Sequence, residues 1–125
     1  MILIVDDDPM AAAISQAILE AAGLATIIAE SASEARAILA ANASIALVVS
    51  DHHMPGTSGI ELFGILAAAG SRKPFVLLSG DDPESLKKLA PGIDICLAKD
   101  ESLGERLPTA IERLLGDDIG GSRIA

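Results

Sequence analysis

Met1-Ile2-Leu3-Ile4-Val5-Asp6-Asp7-Asp8-Pro9 opens the chain with five apolar residues that run straight into three carboxylates and a proline. The pattern recurs. Ile45-Ala46-Leu47-Val48-Val49 ends in Ser50-Asp51, Phe75-Val76-Leu77-Leu78 in Ser79-Gly80, and Ile95-Cys96-Leu97-Ala98 in Lys99. Runs this short and rich in Val, Ile and Leu read as parallel strands buried on both faces. In an open α/β sheet, ligands bind outside the carboxyl ends of the strands. Carboxylates, a hydroxyl and an ammonium therefore converge on one crevice, a set suited to a divalent cation and a phosphoryl group.

Between the apolar runs lie helical stretches. Strands are expected near 2–6, 25–29, 45–50, 74–79 and 93–98. Helices are expected near 9–22, 32–41, 59–69 and 83–90, with a last one within 102–115. Asp8-Pro9 and Asp82-Pro83 each set a capping carboxylate before a proline at the first helical position. Ser31…Glu34, Ser58…Glu61 and Ser102…Glu105 match the capping box, in which two side chains satisfy orphan N–H groups reciprocally. Gly23 and Gly70 are placed to stop the first and third helices. Core stripes are expected at Ile14, Ile18 and Ala21, at Ala35, Ile38 and Leu39, and at Leu62, Ile65, Leu66 and Ala69. Pro108 either kinks the last helix or delays its start to about Leu107. Five βα units with right-handed crossovers predict a doubly wound α/β sheet with helices on both faces. The domain is expected over residues 1–115, with 116–125 a flexible tail or linker stub.

With 125 residues the chain makes one domain with a real core. Only Phe63 and Phe75 are aromatic, so that core is aliphatic. Nine basic against eighteen acidic residues give a net charge of −9, which argues against nucleic acid as a partner. The apolar stretches are too short to span a bilayer and none reads as a signal peptide, so a cytoplasmic domain without membrane contact is expected. A lone Cys96 excludes an internal disulfide and any multi-cysteine metal site.

Asp8 is most simply the N-cap of the first helix, which leaves Asp6 and Asp7 at the strand tip. Three adjacent carboxylates repel one another and call for a counterion. Mg²⁺ prefers hard oxygens and takes one or two carboxylates with waters and phosphate oxygens; Asp6, Asp7 and Asp51 offer such a set. Each feature has an ordinary alternative, a solvated acidic turn or a surface lysine, but four such coincidences at four strand tips are improbable. His52 and His53 invite a transition-metal site, yet they alternate if extended and no third histidine exists.

Taken together, these stretches resemble the receiver domain of bacterial two-component response regulators. The resemblance rests on Ile2 to Pro9, on Asp51-His52-His53-Met54-Pro55-Gly56-Thr57-Ser58-Gly59-Ile60-Glu61-Leu62, on Phe75 to Gly80 and on Leu97-Ala98-Lys99, in that order and spacing. It implies a flavodoxin-like, three-layer α/β/α fold with strand order 2-1-3-4-5. It implies a phosphorylation-controlled switch or relay, not an enzyme acting on a substrate. Asp51 would be the phosphoacceptor, taking phosphate from a sensor histidine kinase or phosphotransfer protein, with an effector downstream. Asp6, Asp7, Asp51 and the backbone carbonyl of His53 would hold Mg²⁺, Asp7 more directly than Asp6. Ser79 would bond a phosphoryl oxygen and Lys99 would pair with the phosphoryl group.

Three departures stand out. The position three before the lysine, usually aromatic, is Cys96, and the usual proline after the lysine is Asp100. The fourth helix has only about two turns before Pro91-Gly92. The aromatic part of the usual switch is therefore expected to be missing. Two other function classes compete. A haloacid-dehalogenase-like phosphatase would use Asp6 and Asp8, but Pro9 interrupts its turn and Asp51 is left idle. A phosphorylation-independent interaction module would explain Cys96 and Asp100 but not the intact Asp6, Asp7, Asp51, Ser79 and Lys99.

Overall fold

The computed structural model describes residues 1–124, with side chains described as far as Gly116. Strands β1 (Ile2–Val5), β2 (Thr26–Ala29), β3 (Leu47–Asp51), β4 (Phe75–Ser79) and β5 (Ile95–Ala98) alternate with helices. These are α1 (Pro9–Ala21), α2 (Ala32–Ala41), α3 (Gly59–Ala68), α4 (Pro83–Leu89) and α5 (Leu103–Ile124). All strand pairs are parallel and the sheet order is β2-β1-β3-β4-β5. This is the doubly wound, three-layer arrangement that the sequence predicts.

The two-residue period of a strand sorts the core into two layers. Leu3, Val5, Val48, Phe75 and Leu77 face α2, α3 and α4, packing on Ala32, Ala35, Leu62 and Leu86. Ile2, Ile4, Leu47, Val49, Val76 and Leu78 face α1 and α5, packing on Leu19, Leu103, Leu107 and Ile111. Each fully buried aliphatic side chain stabilises the fold by about 1.5–3 kcal/mol. Both phenylalanines belong to the first layer and meet edge to face at 5.3 Å.

The expected caps hold at four helices. Asp8 accepts from the Met10 N–H, Ser31 from Glu34, Ser58 from Glu61, and Asp82 from Glu84. Only Ser58–Glu61 closes the reciprocal box. The Ser102–Glu105 box does not form. The Ser102 N–H and hydroxyl both donate to the Asp100 carboxylate, a closer acceptor that the sequence pattern overlooked. Nor does Pro108 delay α5, which begins at Leu103 with Pro108 inside it. Burial of Leu103 and Leu107 against the sheet fixes the first turn, so the loss of one helical N–H is tolerated.

The stripe expected on α1 is rotated. Ile14 is 53% exposed and Ala21 lies outside, while Ala12, Ser15 and Leu19 are buried and Ile18 is half-buried. In α3, Ala69 is the exposed C-cap residue. Gly23 and Gly70 take the positive φ expected of helix stops. The tail expected over 116–125 falls, after Gly116, outside the described side chains. Among the described residues, no helix is long and apolar enough to cross a membrane.

Candidate phosphoryl and metal site

Strand register sets the site. Val5 pairs with Ser50, so Asp6 emerges level with Asp51; Asp51 pairs with Leu78, and Ser79 with Ala98, so Ser79 stands one step past Asp51 and Lys99 one step past Ser79. Asp6, Asp51 and Lys99 share the parity of the α1/α5 layer and their side chains meet there. Lys99 Nζ lies 3.2 Å from Asp6 Oδ2 and 3.1 Å from Asp51 Oδ1. Carboxylate oxygens of Asp6, Asp7 and Asp51 all lie within 4.8 Å of one another. Asp6 and Asp51 are buried and Asp7 is exposed.

Backbone bonds hold these groups in place. The Asp6 N–H donates to Ala29 O, and the Asp8 N–H to Asp6 Oδ1 at 3.0 Å. The Ser50 hydroxyl donates to Asp51 O, and the Lys99 N–H to Ser79 O at 2.8 Å. Residues 52–58 form a loop closed by the Gly59 N–H donating to His52 O at 2.9 Å. A Cβ at Gly59 would stand 2.5 Å from both Asp51 O and Leu77 Cδ1, so only glycine lets α3 start this close to the strand tip. Among the described residues, no backbone N–H donates to the carbonyl of His53.

Burial raises the Asp6 carboxyl above its ordinary value, opposed by the Asp8 N–H and by Lys99. Burial pulls the Lys99 ammonium down, but hydrogen bonding and charge from Asp51, and then Asp6, outweigh it and hold it above its ordinary value. One ammonium against three carboxylates leaves a net charge near −2 in a pocket of hard oxygens. That deficit and that donor chemistry fit Mg²⁺, and nitrogen and sulfur donors are missing from the cluster. Neither histidine side chain joins it. His53 Nε2 lies 2.7 Å from Asp81 Oδ2, both exposed, and the His52 ring is tilted against it.

Ser79 is buried at the tip of β4, and its Oγ accepts the Asp81 N–H at 3.0 Å. By parity it belongs to the opposite layer from Asp51, and its one side-chain bond is to the loop that follows β4. Asp8 Oδ1 accepts the Met10 N–H as the cap of α1, the role the sequence predicts for it. The Lys99–Asp100 peptide is trans, and Asp100 opens the turn into α5. The Asp81 contact and the Ser50 bond escaped the sequence reading. A second carboxylate in Gly80-Asp81-Asp82, beyond the one needed for capping, was the available signal for the first.

A doubly wound sheet with three carboxylates, one lysine and a buried serine at its carboxyl edge defines a phosphoryl-handling domain. The family model for the response regulator receiver domain matches residues 2–112, and the chain belongs to that family. Among solved structures it is similar to the receiver domain of a Francisella response regulator, at 28% identity and a TM-score of 0.83, covering 94% of this chain and 97% of that one. The receiver domain of a histidine kinase from Syntrophus aciditrophicus is 30% identical, with a TM-score of 0.78 over 93% and 89% of the two chains. The response regulator TrrA of Thermotoga maritima, solved with Mg²⁺ and BeF, is 25% identical, with a TM-score of 0.81 over 90% and 96%. No curated protein matches the chain at a significant level. The domain is thus a phosphorylation-controlled signalling switch.

Proposed function

We propose that Asp51 accepts a phosphoryl group from the phosphohistidine of a sensor histidine kinase or phosphotransfer protein in the cytoplasm. The domain, residues 1–115, then passes the signal to an effector. The observation that carries this reading is the buried Asp51 carboxylate held 3.1 Å from Lys99, with Asp6 and Asp7 beside it. Asp6, Asp7, Asp51 and the His53 carbonyl would hold Mg²⁺. When bound, that ion neutralises charge on the phosphoryl oxygens and screens the carboxylates from one another.

The chain's own residues carry the rest. An Asp51 oxygen attacks phosphorus in line as the P–N bond breaks, and the bonding pair leaves on the imidazole nitrogen, which takes a proton. The product is an acyl phosphate. Lys99 already bonds Asp51 and needs little movement to pair with a phosphoryl oxygen. Ser79 Oγ receives the Asp81 N–H, which leaves its own proton free to donate to another. Attack by water at phosphorus restores Asp51 and releases inorganic phosphate, so the domain catalyses its own phosphorylation and dephosphorylation.

Intact-mass measurement with acetyl phosphate checks the assignment. Wild type gains one hydroxylamine-labile phosphate with Mg²⁺ and none with EDTA, and Asp51→Asn gains none. A phosphate retained by the variant would move the acceptor elsewhere.

A further inference from the structure

At the opposite end of the sheet, α2 and α3 diverge over an open trough of about 840 Å³. Leu39, Ile65 and Leu66 form its half-buried apolar floor, and Arg36, Arg72 and Lys73 line its walls. No aspartate or glutamate lines it, although the chain carries eighteen acids and only nine Lys and Arg. Lys73 Nζ is committed to the Ile45 carbonyl at 2.7 Å. Arg36 and Arg72 are exposed, and neither forms an ion pair among the described residues.

We infer that this trough docks an acidic, apolar-faced helical segment of a partner protein. Charge argues for the occupant. A chain of net charge −9 repels an acidic segment over most of its surface, and here two free guanidiniums flank an apolar floor. Shape argues for a helix. Small ligands are held in sites that bury most of their surface, whereas this trough is open. It lies beside a ten-residue helix, α2, about 15 Å long at 1.5 Å per residue, which matches the helix-in-groove mode of peptide recognition. The partner's leucine-like side chains would rest on Leu39, Ile65 and Leu66, and its carboxylates would take the two guanidinium forks. The trough's lining residues 69–74 precede β4, at the end of that strand opposite Ser79, so a tethered partner could stay bound in both phosphorylation states.

The test is an amide-shift titration of the domain with a synthetic helical peptide of about fourteen residues, leucine on one face and glutamate on its flanks. A matched peptide carries lysine in place of glutamate. The acidic peptide is expected to shift α2, the end of α3 and residues 70–74, and to weaken at least about tenfold in the R36E/R72E variant. That variant should favour the lysine peptide and still be phosphorylated on Asp51, which shows that it folds and separates this result from the receiver reading. No binding, equal binding of both peptides, or shifts confined to α1 or to the α4–β5–α5 face would overturn the proposal. Shifts at the trough that grow with protein concentration and need no peptide would assign it to a second copy instead, and would overturn it equally.

Discussion

Strand β3 ends in one charged residue of the site and β5 runs directly into another, yet the two strands are held differently. Every residue of β3 from Leu47 to Asp51 is buried, and every residue of β5 from Ile95 to Ala98 is half-buried. The Asp51 side chain is 9% exposed and that of Lys99 is 27%. A strand paired on both sides fixes and shields the carboxylate at its tip. An ammonium on a flexible four-carbon stem reaches its partners from an edge. The departures from the family pattern, Cys96 and Asp100, fall on this looser side, where a change costs less.

Removing the edge-borne charge tests whether it is dispensable. Lys99→Met is expected to slow phosphorylation by acetyl phosphate about 10²-fold, the cost of losing one preorganised charge donor. Initial rates by intact mass measure it, and a rate within about threefold of wild type would place the burden on β3 and the metal site alone. The raised Lys99 group also has a sign. Its contribution to stability is present throughout the neutral range and is lost as pH rises past its ordinary 10.5 and through its folded value. Alkaline melts should therefore converge for wild type and the variant.

Packing gives the next largest contrast. Leu47→Ala on β3 should cost about 2–5 kcal/mol and Leu97→Ala on β5 roughly half as much, because less apolar surface is lost from the edge. Urea unfolding compares them, and equal costs would erase the distinction between the strands. Metal binding comes third. Mg²⁺ at a hundred times its Kd should stabilise wild type by about 2.7 kcal/mol, and Asp7→Ala should lose most of that shift. Thermal melts with EDTA and with Mg²⁺ decide it.

The smallest effect is expected at β5 itself. Addition of beryllofluoride and Mg²⁺ should shift the amides of Ser79–Asp82 strongly and those around Cys96 little. Cys96 is half-buried beside the α2–α4 layer and too small to swing into space vacated by another side chain. Large shifts through β5 and α5 would show that the edge responds without an aromatic residue.

The strand tips were readable because each joins a strong apolar run to one chemically distinct group. The caps at Asp8, Ser58 and Asp82 were readable because they depend on residues within a single turn. What escaped depends on context. Alanine surrounds α1 so completely that Ile14 looked like core, when Ser15 holds the inward position. Ser102 matched a capping pattern, but Asp100, two residues earlier, competes for its hydroxyl and its N–H. The bond between His53 and Asp81 joins loops 28 residues apart, a distance that local patterns do not cover. The pairing of Lys99 with both Asp6 and Asp51 follows from parity once the register is fixed.

The closed loop at residues 52–58 carries a consequence for protein engineering. Its two ends are tied by Gly59 and His52, and the near contact of Gly59 with Asp51 and Leu77 leaves no slack. The carbonyl of His52 ties the ring by accepting from Gly59. An inserted residue or a graft in this segment would have to bulge out or break that tie. The ring therefore behaves as a fixed-length ruler, and reporter tags belong elsewhere on the molecule.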